Sequence, residues 1–167
     1  EIQLGDWSSD VCSSDLAVFL VAGDGEMRPG LEALISSLGL RDKIMLLGWR
    51  NDIAELLYAA DIFVLTSLWE GLPCSIVEAM CCSKPVVANA VDGVKEIVQD
   101  GKTGFLTEPH DYASTAEKIN YLLSDQKKMY EMGKRAKEAV TEEFDINYTV
   151  CEHEKLYSET LGKITLA

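Results

Sequence analysis

The sequence predicts an α/β fold, a parallel sheet with flanking helices followed by a purely helical C-terminal stretch. Two observations carry that prediction. From Ala17 to Leu106, short continuous apolar runs alternate with segments whose apolar residues recur every three or four positions. Glycine or proline punctuates nearly every junction, and the connections are short, as crossover units between parallel strands require.

Ala17–Ala22 is an apolar run closed by Gly23-Asp24-Gly25, which predicts a strand buried on both faces. Leu31, Leu34, Ile35 and Leu38 follow at helical spacing, and Gly39 supplies the stop. Ile44 to Leu47 reads as the next strand, closed by Gly48, and Ile53, Leu56, Leu57 and Ala60 as a short amphipathic helix. Ile62 to Leu65 is a strand, Cys74 to Cys82 a helix, Pro85 to Ala88 a strand, Val94 to Val98 a helix and Gly104 to Leu106 a short last strand. Such alternation implies a doubly wound layer. Beyond residue 110 the chain turns helical, with Asp111 as an N-cap. Three apolar stripes follow: Tyr112, Ala116, Ile119 and Leu123; Met129, Met132, Ala136 and Val140; Ile146, Val150, His153, Tyr157 and Leu161. No Gly- or Ser-rich linker divides residues 17–167, which therefore read as one domain.

Composition narrows the function classes. The 15 basic and 28 acidic residues leave a formal charge of −13, which argues against nucleic-acid binding and against docking on an acidic membrane. The longest apolar run, Leu16 to Ala22, is too short to span a bilayer. With 47% hydrophobic and 26% charged residues, the chain has the composition of a folded protein. Five cysteines without a CxxC pair, and only His110 and His153, give no zinc pattern, so no metal is expected. Cys81 and Cys82 are expected to pack as small apolar side chains in a reducing compartment, the cytoplasm.

Residues 1–16 stand apart. Ser8-Ser9-Asp10-Val11 is nearly repeated at Ser13-Ser14-Asp15-Leu16, and the stretch holds four acids, no base and no period. Residues 5–16 resemble translated sequencing-adapter sequence, which implies a non-native leader ahead of a domain starting near Ala17.

Ligands of open α/β sheets bind outside the carboxyl ends of the strands. The loops of interest are therefore residues 23–27, 48–52, 66–73 and 89–93. Gly23-Asp24-Gly25 is only part of a dinucleotide fingerprint, because Arg28 occupies the third glycine position. The loop from Thr66 to Pro73 is richer. Pro73 suits the first turn of the following helix, whose N–H groups and dipole favour phosphate. Gly71 admits a ligand close to the backbone. Glu78 in that helix could accept ribose hydroxyls, and Glu70 could face a second polyhydroxylated group. By spacing alone, a solvated loop acid and a surface helix acid explain them as well.

Glu70-Gly71-Leu72-Pro73 followed by Glu78-Ala79-Met80 resembles the Glu, seven residues, Glu motif of retaining GT-B glycosyltransferases of family four. The resemblance extends over residues 17–160. It includes Gly23-Asp24-Gly25, Leu46-Leu47-Gly48-Trp49, Ala60 to Ser67, Lys84 to Ala88, Asp92-Gly93 with Glu96-Ile97-Val98, and Gly101 with Thr103 to Leu106, in the family's order. It implies the Rossmann-like, donor-binding C-terminal half of a GT-B enzyme. Glu70 would be the catalytic residue contacting the donor sugar, with Gly71, Leu72 and Pro73 lining its pocket. The backbone of Ser75 and Ile76 would sit by the diphosphate and ribose, Glu78 on the ribose hydroxyls, and Gly48, Trp49 and Arg50 by the base. Gly23 and Gly25 form the family's strand-end turn in the nucleotide-sugar site. The implied partners are a UDP- or GDP-sugar and a glycan or lipid-linked acceptor, with no cofactor, in polysaccharide biosynthesis by a parent enzyme peripheral to the membrane.

The resemblance has departures. Ser83 and Asp92 stand where the family carries glycine; Ser83 is expected to cost little, and Asp92 adds an acid near a phosphate loop. The family's diphosphate-binding Arg and Lys, and its acceptor-binding half, would lie upstream of Ala17. No residue is a convincing general base, and both histidines read as structural. Other readings are a non-catalytic nucleotide-binding module, a sugar-nucleotide epimerase of the same fold and a nicotinamide-cofactor enzyme.

Overall fold

Two parallel ladders organise the chain. In the computed structural model, residues 17–165 are described, so the expectations placed on residues 1–16 lie outside the described residues. The first ladder pairs β1 (Phe19–Ala22) with β2 (Ile44–Gly48), joined through α1 (Arg28–Ser37). After α2 (Ile53–Ala59), the second ladder comprises β3 (Phe63–Leu65), β4 (Val86–Asn89) and β5 (Gly104–Thr107), in the order β3-β4-β5. Their crossovers are α3 (Cys74–Cys81) and α4 (Asp92–Ile97). Three α-helices and a short 3-10 turn (Glu142–Phe144) complete the described chain: α5 (Tyr112–Leu123), α6 (Gln126–Glu138) and α7 (Ile146–Thr165). Each βα alternation is where the apolar periodicity places it.

β4 has a strand on either side and is buried at every position, from Val86 to Asn89. One core forms beneath α3 and α4, where Ile76, Met80, Val94 and Val98 pack with Val86 and Ala88. Another forms beneath α5 and α6, where Ile119, Leu122 and Met132 close over Val87. Alternate residues of β4 thus point to opposite layers, as the period of a strand requires. The side chains of Val86, Val87, Ile76 and Leu122 are all fully removed from solvent.

β1 departs from the expectation of a strand buried on both faces. Leu20 and Val21 are 45% and 41% exposed. The cause is its position: among the described residues β1 is paired only to β2, whereas burial on two faces needs flanking strands and helices on both sides.

The helix ends follow the sequence closely. Asp111 caps α5 by accepting from Ser114 N–H at 3.0 Å, as expected. Gly39 follows α1 at φ +69°, and the bonds from Gly39 N–H to Ser36 O and Leu40 N–H to Ile35 O close a Schellman motif. The stripes are less faithful. In α5 the buried set is Thr115, Ala116, Ile119 and Leu122, so Tyr112 and Leu123 flank the interface instead of filling it. In α7 the expected stripe is exposed throughout, with Ile146, Tyr157 and Leu161 each more than 60% accessible. His153 is exposed with it, because no element among the described residues covers that helix face. Cys81 is likewise exposed and Cys82 only half-buried, since Ile76, Ala79 and Met80 form the buried face of α3 and Cys82 lies past its last turn.

Candidate functional site

The residues singled out from sequence fall into two clusters, each at the carboxyl end of one ladder. In the first, Gly23 and Gly48 meet. Gly23 N–H donates to Gly48 O at 2.8 Å, tying the end of β1 to the end of β2. Gly23 has φ +130° and Gly48 φ +69°, conformations that favour glycine. Arg28 lies against this junction: Nε donates to Glu32 Oε1 at 2.9 Å, Nη1 to Asp24 Oδ2 at 3.2 Å and Nη2 to Leu46 O at 3.2 Å. A methyl on Gly48 would sit 3.2 Å from Arg28 Nη1, so the glycine also makes room for the guanidinium. Gly25 has its N–H held by Asp24 Oδ1 at 2.8 Å. Beyond Gly48, Trp49 projects into solvent, 81% exposed. Arg50 pairs in bidentate fashion with Asp52, Nε donating to Oδ1 at 2.8 Å and Nη2 to Oδ2. That hydrogen bond holds the Asp52 carboxyl below the usual carboxylate range.

The second cluster is the connection from β3 to α3. Pro73, buried, stands at the N-cap of α3 one residue before its first turn, and Ile76 N–H donates to its carbonyl at 3.0 Å. The N–H groups of Cys74 and Ser75 precede that bond, at the positive end of the α3 dipole. Ile76 directs its side chain into the core, so only its backbone borders the loop. Glu70 is half-buried, Glu78 is exposed one turn into α3, and Gly71 and Leu72 are exposed between them. A methyl built on Gly71 would meet nothing within 4 Å, so the side-chain face of this residue is open.

Two residues that sequence reasoning did not select as site residues organise this loop. Asn89, only 5% exposed, donates from Nδ2 to Thr66 O at 2.8 Å and to Ser67 O at 3.1 Å. Gly93, in the first turn of α4, packs directly against the Gly71 carbonyl. The signal for Asn89 was one polar residue ending an otherwise apolar strand beside the loop. For Gly93 it was a glycine inside a helix at a strand's carboxyl end.

Among the described residues, no group of three or more His, Cys, Asp or Glu side chains is arranged to hold a metal ion. His110 lies in an exposed loop at φ +69°, its Nδ1 3.2 Å from the Tyr112 hydroxyl. No described helix is long and apolar enough to cross a membrane.

Residues 10–139 match the family model described as glycosyl transferases group 1. The chain belongs to the glycosyl transferases group 1 family. Its relatives in this family include the N-acetyl-alpha-D-glucosaminyl L-malate synthase of Bacillus anthracis, 34% identical over 145 residues, which are 87% of this chain and 38% of that protein. Another is the UDP-Gal:alpha-D-GlcNAc-diphosphoundecaprenol alpha-1,3-galactosyltransferase of Escherichia coli, 36% identical over 84% of this chain and 36% of that protein. The chain thus spans well under half the length of either. Among solved structures, Anabaena Alr3699/HepE in complex with UDP-glucose superposes with a TM-score of 0.77 at 31% identity, covering 96% of this chain and 46% of that one. The α/β architecture of parallel strands flanked by helices is the architecture of these glycosyltransferases.

One of the two departures from the family motif costs more than the sequence suggested. Ser83 adopts φ +58°. It closes α3 as Gly39 closes α1: Ser83 N–H bonds Met80 O at 2.9 Å and Lys84 N–H bonds Ala79 O at 3.0 Å. A side chain at that left-handed position is strained, which accounts for the family's glycine. Asp92 is an exposed residue of the first turn of α4, next to the glycine that abuts the loop.

Proposed function

We propose that this chain is the donor-binding half of a retaining glycosyltransferase that moves a sugar from a UDP- or GDP-sugar to a glycan or lipid-linked acceptor in polysaccharide biosynthesis. The observation that carries the reading is the β3–α3 connection. Glu70, a Gly71 with open space at its Cβ position and the N-terminus of α3 follow one another there, at the carboxyl end of a parallel strand. The UDP-glucose complex of the HepE relative and the UDP-Gal donor in the name of the Escherichia coli relative support the donor class.

In this reading the bond between the sugar anomeric carbon and the diphosphate oxygen breaks, the acceptor hydroxyl oxygen bonds to that carbon with retained configuration, and the hydroxyl proton passes to the departing diphosphate. The leaving diphosphate gains charge, which the Cys74 and Ser75 N–H groups and the α3 dipole stabilise. Glu70 contacts the donor sugar beside the reacting carbon. Gly71, Leu72 and Pro73 border the sugar, the Ser75 and Ile76 backbone borders the diphosphate and ribose, and Glu78 accepts the ribose hydroxyls. Gly48, Trp49 and Arg50 border the base, and Gly23 and Gly25 shape the neighbouring turn. No cofactor enters the step. In this reading the domain proper starts near Ala17, although the family match reaches back to residue 10, and the acceptor-binding half and the basic residues facing the diphosphate lie outside these 167 residues. The whole enzyme works in the cytoplasm, peripheral to the membrane.

Calorimetric titration of the 167-residue chain with UDP, GDP and NAD tests the reading. Weak binding of UDP or GDP, with no sugar transfer by the chain alone, is expected. Preference for NAD, or measurable transfer, overturns it.

A further inference from the structure

We infer that Asn89 and Gly93 are positioning residues for the donor, holding the β3–α3 loop and its Glu70 in one conformation from the β4–α4 side. The inference rests on the donor reading above for its functional meaning, and on geometry for the clamp itself.

The ladder between β3 and β4 ends at the Leu65–Ala88 pair. One residue further on, the Asn89 side chain takes over from the backbone. Its amide donates to two consecutive carbonyls, Thr66 O and Ser67 O, which lie beyond the last rung of the ladder. The Asn89 backbone meanwhile remains in register with Thr107 of β5. One buried residue therefore anchors the start of the loop to the interior of the sheet.

Gly93 anchors the other end. A methyl on its α-carbon would lie 1.3 Å from Gly71 O, 2.5 Å from Gly71 C and 3.3 Å from Leu72 N. Gly93 is not among the glycines at positive φ, so its conformation would accept other residues and only the contact forbids them. It is fixed in turn by its neighbours, since Val94 and Ile97 of α4 are core residues. Trp69 and Glu70 lie between the two anchors. Held at Thr66, Ser67 and Gly71, the loop presents Glu70 at a constant distance from the start of α3, and pre-organisation of this kind lowers the cost of ordering on binding.

A purely structural role would lower stability without acting selectively on the loop. The test is 15N relaxation on the 167-residue chain, paired with UDP titration, for the wild type, Asn89→Ala and Gly93→Ala. In the wild type, amides of Ser67 to Gly71 should show order parameters near about 0.85; in both variants they should fall below about 0.6. Amides of β4 and β5 should keep their values, and UDP affinity should fall about tenfold. If Gly93→Ala does not fold, Asn89→Ala alone decides. Unchanged loop order parameters overturn the clamp, and a loosened loop with unchanged UDP affinity overturns its role in positioning the donor. A wild-type chain that binds neither UDP nor GDP overturns the donor reading instead, and the order parameters still decide whether the clamp exists.

Discussion

Ser83 shows how one side chain can work against the conformation its backbone needs. The residue serves as the left-handed closure of α3, the position that Gly39 fills at the end of α1. A Cβ in the left-handed region costs about 1–2 kcal/mol, and glycine returns about 0.5–1 of that through its larger unfolded-state entropy. Ser83→Gly should therefore stabilise the chain by about 0.5–1 kcal/mol, seen as a higher urea midpoint at unchanged slope. An unchanged or lower midpoint would show that the serine is not strained. The sequence marks position 83 as a departure from the family pattern, but its cost is legible only once φ is known. The same holds for Asn89, whose identity is plain in the sequence while its two acceptors, more than twenty residues away along the chain, are not.

At the scale of single elements, periodicity and capping chemistry carried most of the information. α6 shows both. Asp125 at its N-cap accepts from Lys128 N–H at 3.1 Å, and that bond holds the carboxyl below the usual carboxylate range. The lowered value has a definite sign. On acidification the unfolded chain takes up this proton first, so the cap stabilises fully above about pH 3.9. It is lost as pH falls through the folded-state value. Asn at the same position caps without titrating. The difference in melting temperature between the wild type and Asp125→Asn should therefore shrink as pH is lowered from neutrality to the acid range. A constant difference would mean that the carboxylate charge contributes nothing. Where element-level reading failed, it failed for want of a neighbour. The α7 stripe has the same helical spacing as those of α5 and α6, yet it faces solvent, because spacing reports which residues share a face and not whether anything covers it.

For the molecule as a whole, charge is the dominant long-range term. A formal −13 spread over 167 residues opposes the compact state through self-repulsion. The Debye length falls from about 30 Å at 0.01 M salt to about 8 Å at 0.15 M. Raising sodium chloride over that interval should lift the melting temperature by about 2–4 °C, the shift expected for roughly 1 kcal/mol in a domain of this size. A fall would mean that attractive surface pairs outweigh the repulsion. The α/β alternation, the order of the elements, most of their ends and the loop that carries Glu70 are legible in the amino-acid order alone, because apolar spacing, caps and glycines act within a few residues. The grouping of the strands into two ladders, the openness of β1 beside the burial of β4, and the contacts of Asn89 and Gly93 with the Glu70 loop emerge only in three dimensions. Those outcomes depend on which distant segments meet, and contact between residues far apart in the chain leaves no local period to read.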